Sequence, residues 1–251
     1  MRPDVSICLL TWNRANFLEI CLREMFASMT PTEQGGLTRE ILLMDNGSTD
    51  QTPEVLKSYE NHPGVRIIRN KRNLRFNAYK RLFFKARGRI IIDLDDDVLK
   101  FPKDFDKTLV EYLDTYKDYG FLGCNVVQDE KTKGSRPVDA VYREDVRGNM
   151  VVEEGPVGGW CSAFRRKDYL WIKLPIFLFD ITAKCPEDAY LASMAWRLRK
   201  RIGIVKNAIC LHASGLAYAK EFGHLDREIE KYSVGGMPDL AKKYLTEKKR
   251  T

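Results

Sequence analysis

Residues 5–10 form a near-continuous apolar run, the pattern of a strand covered on both faces. Phe17, Leu18, Cys21, Leu22, Met25, Phe26 and Met29 then recur at helical spacing, which predicts an amphipathic helix. Residues 30–38 carry a proline and two glycines and read as a loop. A second buried strand is predicted over 41–44, ending in Asp45-Asn46-Gly47-Ser48-Thr49-Asp50, dense in turn and cap residues. Thr52-Pro53 opens a short helix, where proline's missing N–H costs nothing. A third strand follows over 65–68, a helix over 77–86 and a fourth strand over 90–94. Strands alternating with helices through the first ~100 residues predict an α/β fold, a mostly parallel, Rossmann-like sheet with helices on both faces.

The second half is less regular. Phe105, Leu109, Leu113 and Tyr116 mark a helix, and 121–127 a strand. Residues 128–155 are polar and charged, with strand-like pieces around Val141 and Val151; this segment is expected to be a mobile loop or hairpin closing over a ligand. A helix over 187–201 and a strand over 202–211 follow, and a helical tail runs from about 213 to Lys248-Lys249-Arg250. The expected division is a domain over 1–212, with halves 1–98 and 99–212, and a basic helical extension over 213–251.

Composition narrows the class. A chain of 251 residues with 44% apolar and 31% charged residues is an ordinary globular balance. No run of about 18 apolar residues occurs, so no membrane span is predicted. The N-terminus lacks a signal-peptide layout, and a cytoplasmic location is expected. Six scattered cysteines without a CxxC pair read as buried free thiols rather than a zinc site or disulfide framework. The net charge of +7 is uneven: nine basic residues and no acid lie between Arg69 and Arg89. Such a run is either a solvated helix face or the contact for a partner carrying phosphates.

The densest chemistry is Asp93-Leu94-Asp95-Asp96-Asp97, four carboxylates at the end of an apolar strand. Their mutual repulsion requires positive charge nearby. Side chains two apart on a strand share a face, so Asp95 with Asp97, or Asp93 with Asp95, could aim at one cation. A hard divalent ion, Mn²⁺ or Mg²⁺, suits oxygen ligands and leaves room for phosphates. Ligands of open α/β sheets gather at the carboxyl ends of the strands. Thr11-Trp12-Asn13-Arg14 and Asp45-Asn46-Gly47-Ser48 should meet that same edge.

In order and spacing, VSICLLTWNR, LLMDNGSTDQT, RNLRFNAYK and IIIDLDDDV resemble the family 2 glycosyltransferases of GT-A fold, over residues 5–98 and more loosely to 212. The resemblance implies that Thr11, Asn13 and Arg14 line a nucleotide pocket and that Asp45 contacts the base or ribose. Asn73, Arg75 and Lys80 then belong with the nucleotide sugar. Asp95-Asp96-Asp97 is the DxD element, with Asp95 and Asp96 toward the nucleotide, and with Asp95, Asp97 and His212 on the metal. Gly159, Trp160 and Glu187 would flank the donor sugar or acceptor, together with the Ala163-Phe164-Arg165-Arg166 segment. Glu187-Asp188 matches the family's acidic pair, with Asp188 as catalytic base. Its place at a helix start is expected to lower its pKa and weaken it as a base. Arg75 departs from the family, which has glycine there.

The implied reaction is inverting transfer from a nucleoside-diphosphate sugar to an acceptor hydroxyl. A UDP-sugar comes first as donor, with GDP- or dTDP-sugars as alternatives, and the acceptor is a glycan or a lipid-linked molecule. Two rivals are a haloacid-dehalogenase-like phosphatase with Asp93 as nucleophile, and a non-catalytic binder of anionic polymer or membrane. No nucleic-acid module is visible, so no nucleic-acid partner is expected, whereas the basic tail suggests peripheral membrane contact.

Overall fold

The structure is a computed structural model and describes residues 2–132, 136–137, 139–170, 181 and 186–250. The first half alternates as expected: β1 (Val5–Thr11), α1 (Ala15–Ser28), β2 (Arg39–Asp45), α2 (Thr52–Ser58), β3 (Val65–Arg69), α3 (Ala78–Lys85) and β4 (Ile90–Asp95). These strands are parallel in the order β3-β2-β1-β4, with β1 inside. Their register aligns Thr11 with Asp45 and Leu10 with Asp95, so three chemically informative segments finish at one edge.

The second half holds β5 (Val98–Lys100), α4 (Phe105–Thr115), β6 (Tyr119–Val126), β7 (Arg143–Arg147), β8 (Met150–Glu154) and β9 (Cys161–Arg165). It continues with α5 (Glu187–Arg197), β10 (Arg201–His212), α6 (Leu216–Glu221), α7 (Leu225–Val234) and α8 (Pro238–Lys248). The sheet continues β4-β9-β6-β10-β8-β7, and β5 pairs separately with the end of β10. β9 lies antiparallel between β4 and β6, a strand absent from the sequence reading. Residues 163–165 are therefore buried sheet, with Arg165 donating to the Tyr119 carbonyl at 2.6 Å, and line neither of the two cavities described below.

Both faces of the sheet are covered, as binary patterning requires. Leu18, Leu22, Leu56 and Leu109 from α1, α2 and α4 pack on one side with Ile7, Leu9 and Ile92. Leu82, Phe83, Leu191 and Met194 from α3 and α5 pack on the other with Cys8, Leu42 and Ile91. The β7–β8 hairpin is built into the sheet through β10, and Tyr116 Oη donates to the carbonyls of Asp145 and Met150 at 2.9 and 2.8 Å. Residues 143–154 are thus a sheet edge rather than a closing loop.

The five described cysteines are free and buried, and Cys185 lies outside the described residues. Adjacent strands bring Cys124, Cys161 and Cys210 within 4.8 Å of one another inside the apolar core, a convergence invisible in their sequence spacing.

Candidate active site

Asp95, Asp96 and Asp97 leave the end of β4 and meet an arginine. Arg14 follows β1 through Asn13, whose φ of 49° is a left-handed conformation that asparagine tolerates. The Arg14 N–H donates to Thr52 Oγ1 at 3.1 Å, and its nearly buried guanidinium turns toward the acids. Nη1 donates to Asp96 Oδ1 at 2.9 Å and to Asp97 Oδ2, and Nη2 donates to Glu228 Oε1 at 2.7 Å. Part of the positive charge demanded by the acidic run therefore comes from the chain itself. Arg14 lines the cavity, but its charge is committed to carboxylates rather than held out for a nucleotide.

His212 arrives from the end of β10, where a register shift against β5 turns it inward. Its Nε2 stands 3.1 Å from Asp97 Oδ1 and 3.5 Å from Asp95 Oδ2. One ligand atom from each of Asp95, Asp97 and His212 falls within 4.8 Å of the others. Asp97 Oδ1 is buried without an aligned hydrogen bond among the described residues, a cost that a cation would remove. Two carboxylates and one imidazole fit Mn²⁺ or Mg²⁺, so the donor set passes the chemical test for such an ion.

The charges around this cluster are uneven. Burial opposes ionisation of Asp97, but Arg14 and His212 outweigh it and hold its pKa far below the usual range. Burial, then Asp97, push Asp95 up to about 6, against the pull of His212. Burial lowers the His212 pKa, but Asp97 and Asp95 prevail and raise it above its ordinary value. Deeper in, burial and the Glu187 carboxylate hold Asp93 well above the carboxylate range, and both its oxygens lack partners among the described residues. Asp93 is fully buried and lines neither cavity described below, so it is not placed to act as the nucleophile of the phosphatase alternative.

Two cavities adjoin at this edge. The first, of about 820 Å³, is lined by Thr11, Asn73, Arg75, Asp95, Asp96, Asp97, Glu187 and His212, among others. The second, of about 1020 Å³, shares Asp95, Glu187 and His212 and adds Gly159, Trp160 and Asp188. Gly159 is a fit of space: a Cβ there would lie 3.0 Å from Glu187 Oε1 and 3.5 Å from Asp93 Oδ2. Burial, then Asp95 and Asp188, raise Glu187 to about 8. Asp188 is also raised, because burial outweighs the N–H groups of Ala189 and Gly159 that favour its charge. The depression expected from its helix start is thus reversed, and the shift suits a base.

Other expected residues play supporting parts. Asp45 Oδ1 accepts from the Ser48 N–H at 2.9 Å, and Asn13 bridges to Thr49 and Ser48; both knit the two strand-end turns together and neither lines the cavity. Trp160 is 5% exposed, and its indole N–H donates to the Cys124 carbonyl at 2.8 Å, so it is chiefly core with an edge beside His212. Lys80 is buried on α3 away from the cavity wall. Of the nine basic residues between Arg69 and Arg89, Arg75 alone lines that cavity, while Arg69, Arg87 and Arg89 pair with Glu60, Glu40 and Asp114. Arg75 keeps the turn expected of glycine by adopting a φ of 53°.

The helical tail expected from about 213 includes α7, but its part in the site was missed. Arg227, Glu228, Lys231 and Tyr232 line the first cavity, and Arg227 Nε donates to the Trp12 carbonyl at 2.8 Å. Their spacing marks one helix face, but a charged face looks the same whether it meets solvent or a site. Residues 213–251 hold eight basic and six acidic side chains, so the tail is only weakly basic.

Residues 6–171 match the family model described as "Glycosyl transferase family 2". An undecaprenyl-phosphate 4-deoxy-4-formamido-L-arabinose transferase from Edwardsiella ictaluri is 27% identical over 113 residues, 44% of this chain and 34% of that protein. The chain thus matches about a third of this relative's length. Among solved structures, the mannosyltransferase PcManGT from Pyrobaculum calidifontis, in complex with GDP-Man and Mn²⁺, superposes with a TM-score of 0.62 at 18% identity, over 98% of this chain and 70% of that one. S. aureus TarS 1-349 in complex with UDP-GlcNAc gives 0.60 at 17% identity, over 84% and 59%. At these identities the structural likeness shows a shared GT-A fold.

Proposed function

The chain belongs to glycosyl transferase family 2, and from that premise we propose that it moves a sugar from a nucleoside-diphosphate sugar to an acceptor hydroxyl with inversion at the anomeric carbon. The observation that carries this reading is the pair of cavities meeting at Asp95, Glu187 and His212, with Asp97 on one side and Asp188 on the other. The first cavity takes the donor and the second the acceptor. Asp95, Asp97 and His212 would hold Mn²⁺ or Mg²⁺, and the chemistry supplied by such an ion is neutralisation of diphosphate charge.

Asp188 accepts the acceptor's hydroxyl proton as that oxygen bonds to the anomeric carbon. The bond from that carbon to the diphosphate breaks on the opposite face, and the nucleoside diphosphate leaves with the electron pair. The raised pKa of Asp188 favours this proton transfer. Gly159 lets Glu187 sit close beneath the junction of the cavities.

A UDP-sugar is the first candidate donor, with GDP- and dTDP-sugars next; the two structural neighbours hold GDP-Man and UDP-GlcNAc. The acceptor is a glycan or a lipid-linked molecule, a reading supported by the undecaprenyl-phosphate in the relative's name. No described helix is long and apolar enough to cross a membrane. Exposed Val234, Leu240 and Leu245 on α7 and α8, near Lys242 and Lys243, support peripheral contact with an anionic bilayer from the cytoplasmic side.

A thermal-shift panel of UDP-, GDP- and dTDP-sugars, with and without Mn²⁺, tests the reading. One nucleotide class should stabilise the protein in a Mn²⁺-dependent way, and Asp188→Asn should bind that donor yet lose transfer. Absence of stabilisation by every donor would overturn the proposal.

A further inference from the structure

The face that α7 turns to the first cavity carries a cation, Lys231, that makes no hydrogen bond to a carboxylate among the described residues. Arg14 is shared by Asp96, Asp97 and Glu228. Arg227 is held by Glu228 at 2.5 Å and by the Trp12 carbonyl at 2.8 Å. Lys231, one turn further along α7, approaches Glu228 Oε2 only at 3.8 Å, beyond hydrogen-bond distance, and its side chain is 33% exposed. It lines the same cavity as Asp95, Asp97 and His212. Glu187 lines that wall as well.

A charge balance shows what this cation is for, given the sugar-transfer reading on which the inference rests. A divalent ion at Asp95 and Asp97 offsets those two carboxylates, and Arg14 with Arg227 offsets Asp96 with Glu228. A donor diphosphate entering this cavity would still carry negative charge, and would gain more as the bond to the sugar breaks. Asn46, Asn73 and Thr11 in the wall are neutral. Glu187 and Glu230 also line this wall, and among the described residues Arg75 and Lys231 are its cations without a hydrogen bond to a carboxylate.

We propose that Lys231 binds the donor diphosphate and holds the charge that develops on it as the nucleoside diphosphate leaves. Lysine fits this role because its compact ammonium, carried on a flexible stem, can follow a phosphate group as it departs. α7 is then part of the active site, anchored by the Glu228–Arg14 and Arg227–Trp12 contacts that set Lys231 in place.

Calorimetric titration of UDP, UMP, GDP and GMP into the full chain with Mn²⁺, as wild type, Lys231→Met and Lys231→Arg, tests the assignment. For the base that the wild type binds, Lys231→Met should weaken the diphosphate by about 10- to 100-fold and the monophosphate much less, and Lys231→Arg should recover most of the loss. Equal weakening of both nucleotides, or none, would overturn the role of Lys231 while leaving sugar transfer intact. A wild type that binds neither diphosphate would instead remove the reading beneath it.

Discussion

Arg14→Met should measure how far the acidic cluster depends on charge supplied by the chain. The substitution keeps a long apolar stem and removes the guanidinium from Asp96, Asp97 and Glu228. Glu228 would retain Arg227 at 2.5 Å and Lys231 at 3.8 Å, and Asp97 would retain His212 at 3.1 Å. Asp96 loses its ion pair, and its second oxygen already lacks a partner among the described residues. Removing one side of a buried ion pair costs about 3–5 kcal/mol, and the surviving partners place this case near the lower figure. For a chain of this size that is a fall in Tm of roughly 6–12 °C. Because Asp95 and Asp97 would then repel more strongly, Mn²⁺ should restore more stability to the variant than it gives the wild type. Thermal melts with EDTA or Mn²⁺ read both effects. A fall below about 2 °C, or equal metal stabilisation of the two proteins, would refute the reasoning.

Three other outcomes follow from the geometry. Gly159→Ala places a methyl group 3.0 Å from Glu187 Oε1, so turnover should drop about tenfold or more with little change in donor affinity, as steady-state kinetics and titration would show. The pKa values of Asp95 and Glu187 are raised to about 6 and about 8, so the stability they contribute is present at low pH and lost as pH rises through those values. Metal-free stability should therefore decline between about pH 5 and 8, and Mn²⁺, which binds the ionised acids, should stabilise progressively more across that window in pH-dependent melts. Arg75→Gly relieves a left-handed arginine, so its Tm should hold or rise by the equivalent of about 1 kcal/mol, while donor affinity falls in the same titration used for Lys231.

The parallel half of the fold was legible because each strand is a short apolar run closed by turn residues, and each helix carries its own periodicity. β9 was not, since Cys161-Ser162-Ala163-Phe164-Arg165 is too short and mixed to show a period, and its place between β4 and β6 is a long-range pairing. The acidic run announced the site, but charge alone did not say what neutralises it. Arg14 stands 82 residues before Asp96 and 214 before Glu228, so only tertiary structure brings them together. The same distance hid the role of α7, whose Arg227, Glu228 and Lys231 carry the pattern of a solvated helix. Asp188 shows how local reasoning can reverse in context: its helix start favours the charged form, and burial wins.

Electron paramagnetic resonance of Mn²⁺ titrated into the protein with UDP or GDP bears most directly on the metal-assisted site, because bound ion drops out of the free six-line signal. The wild type should take up one ion per chain, more tightly with its preferred nucleotide, and Asp97→Asn should leave the ion free. Full uptake by Asp97→Asn, or none by the wild type, would contradict the assignment of Asp95, Asp97 and His212 as the metal's ligands.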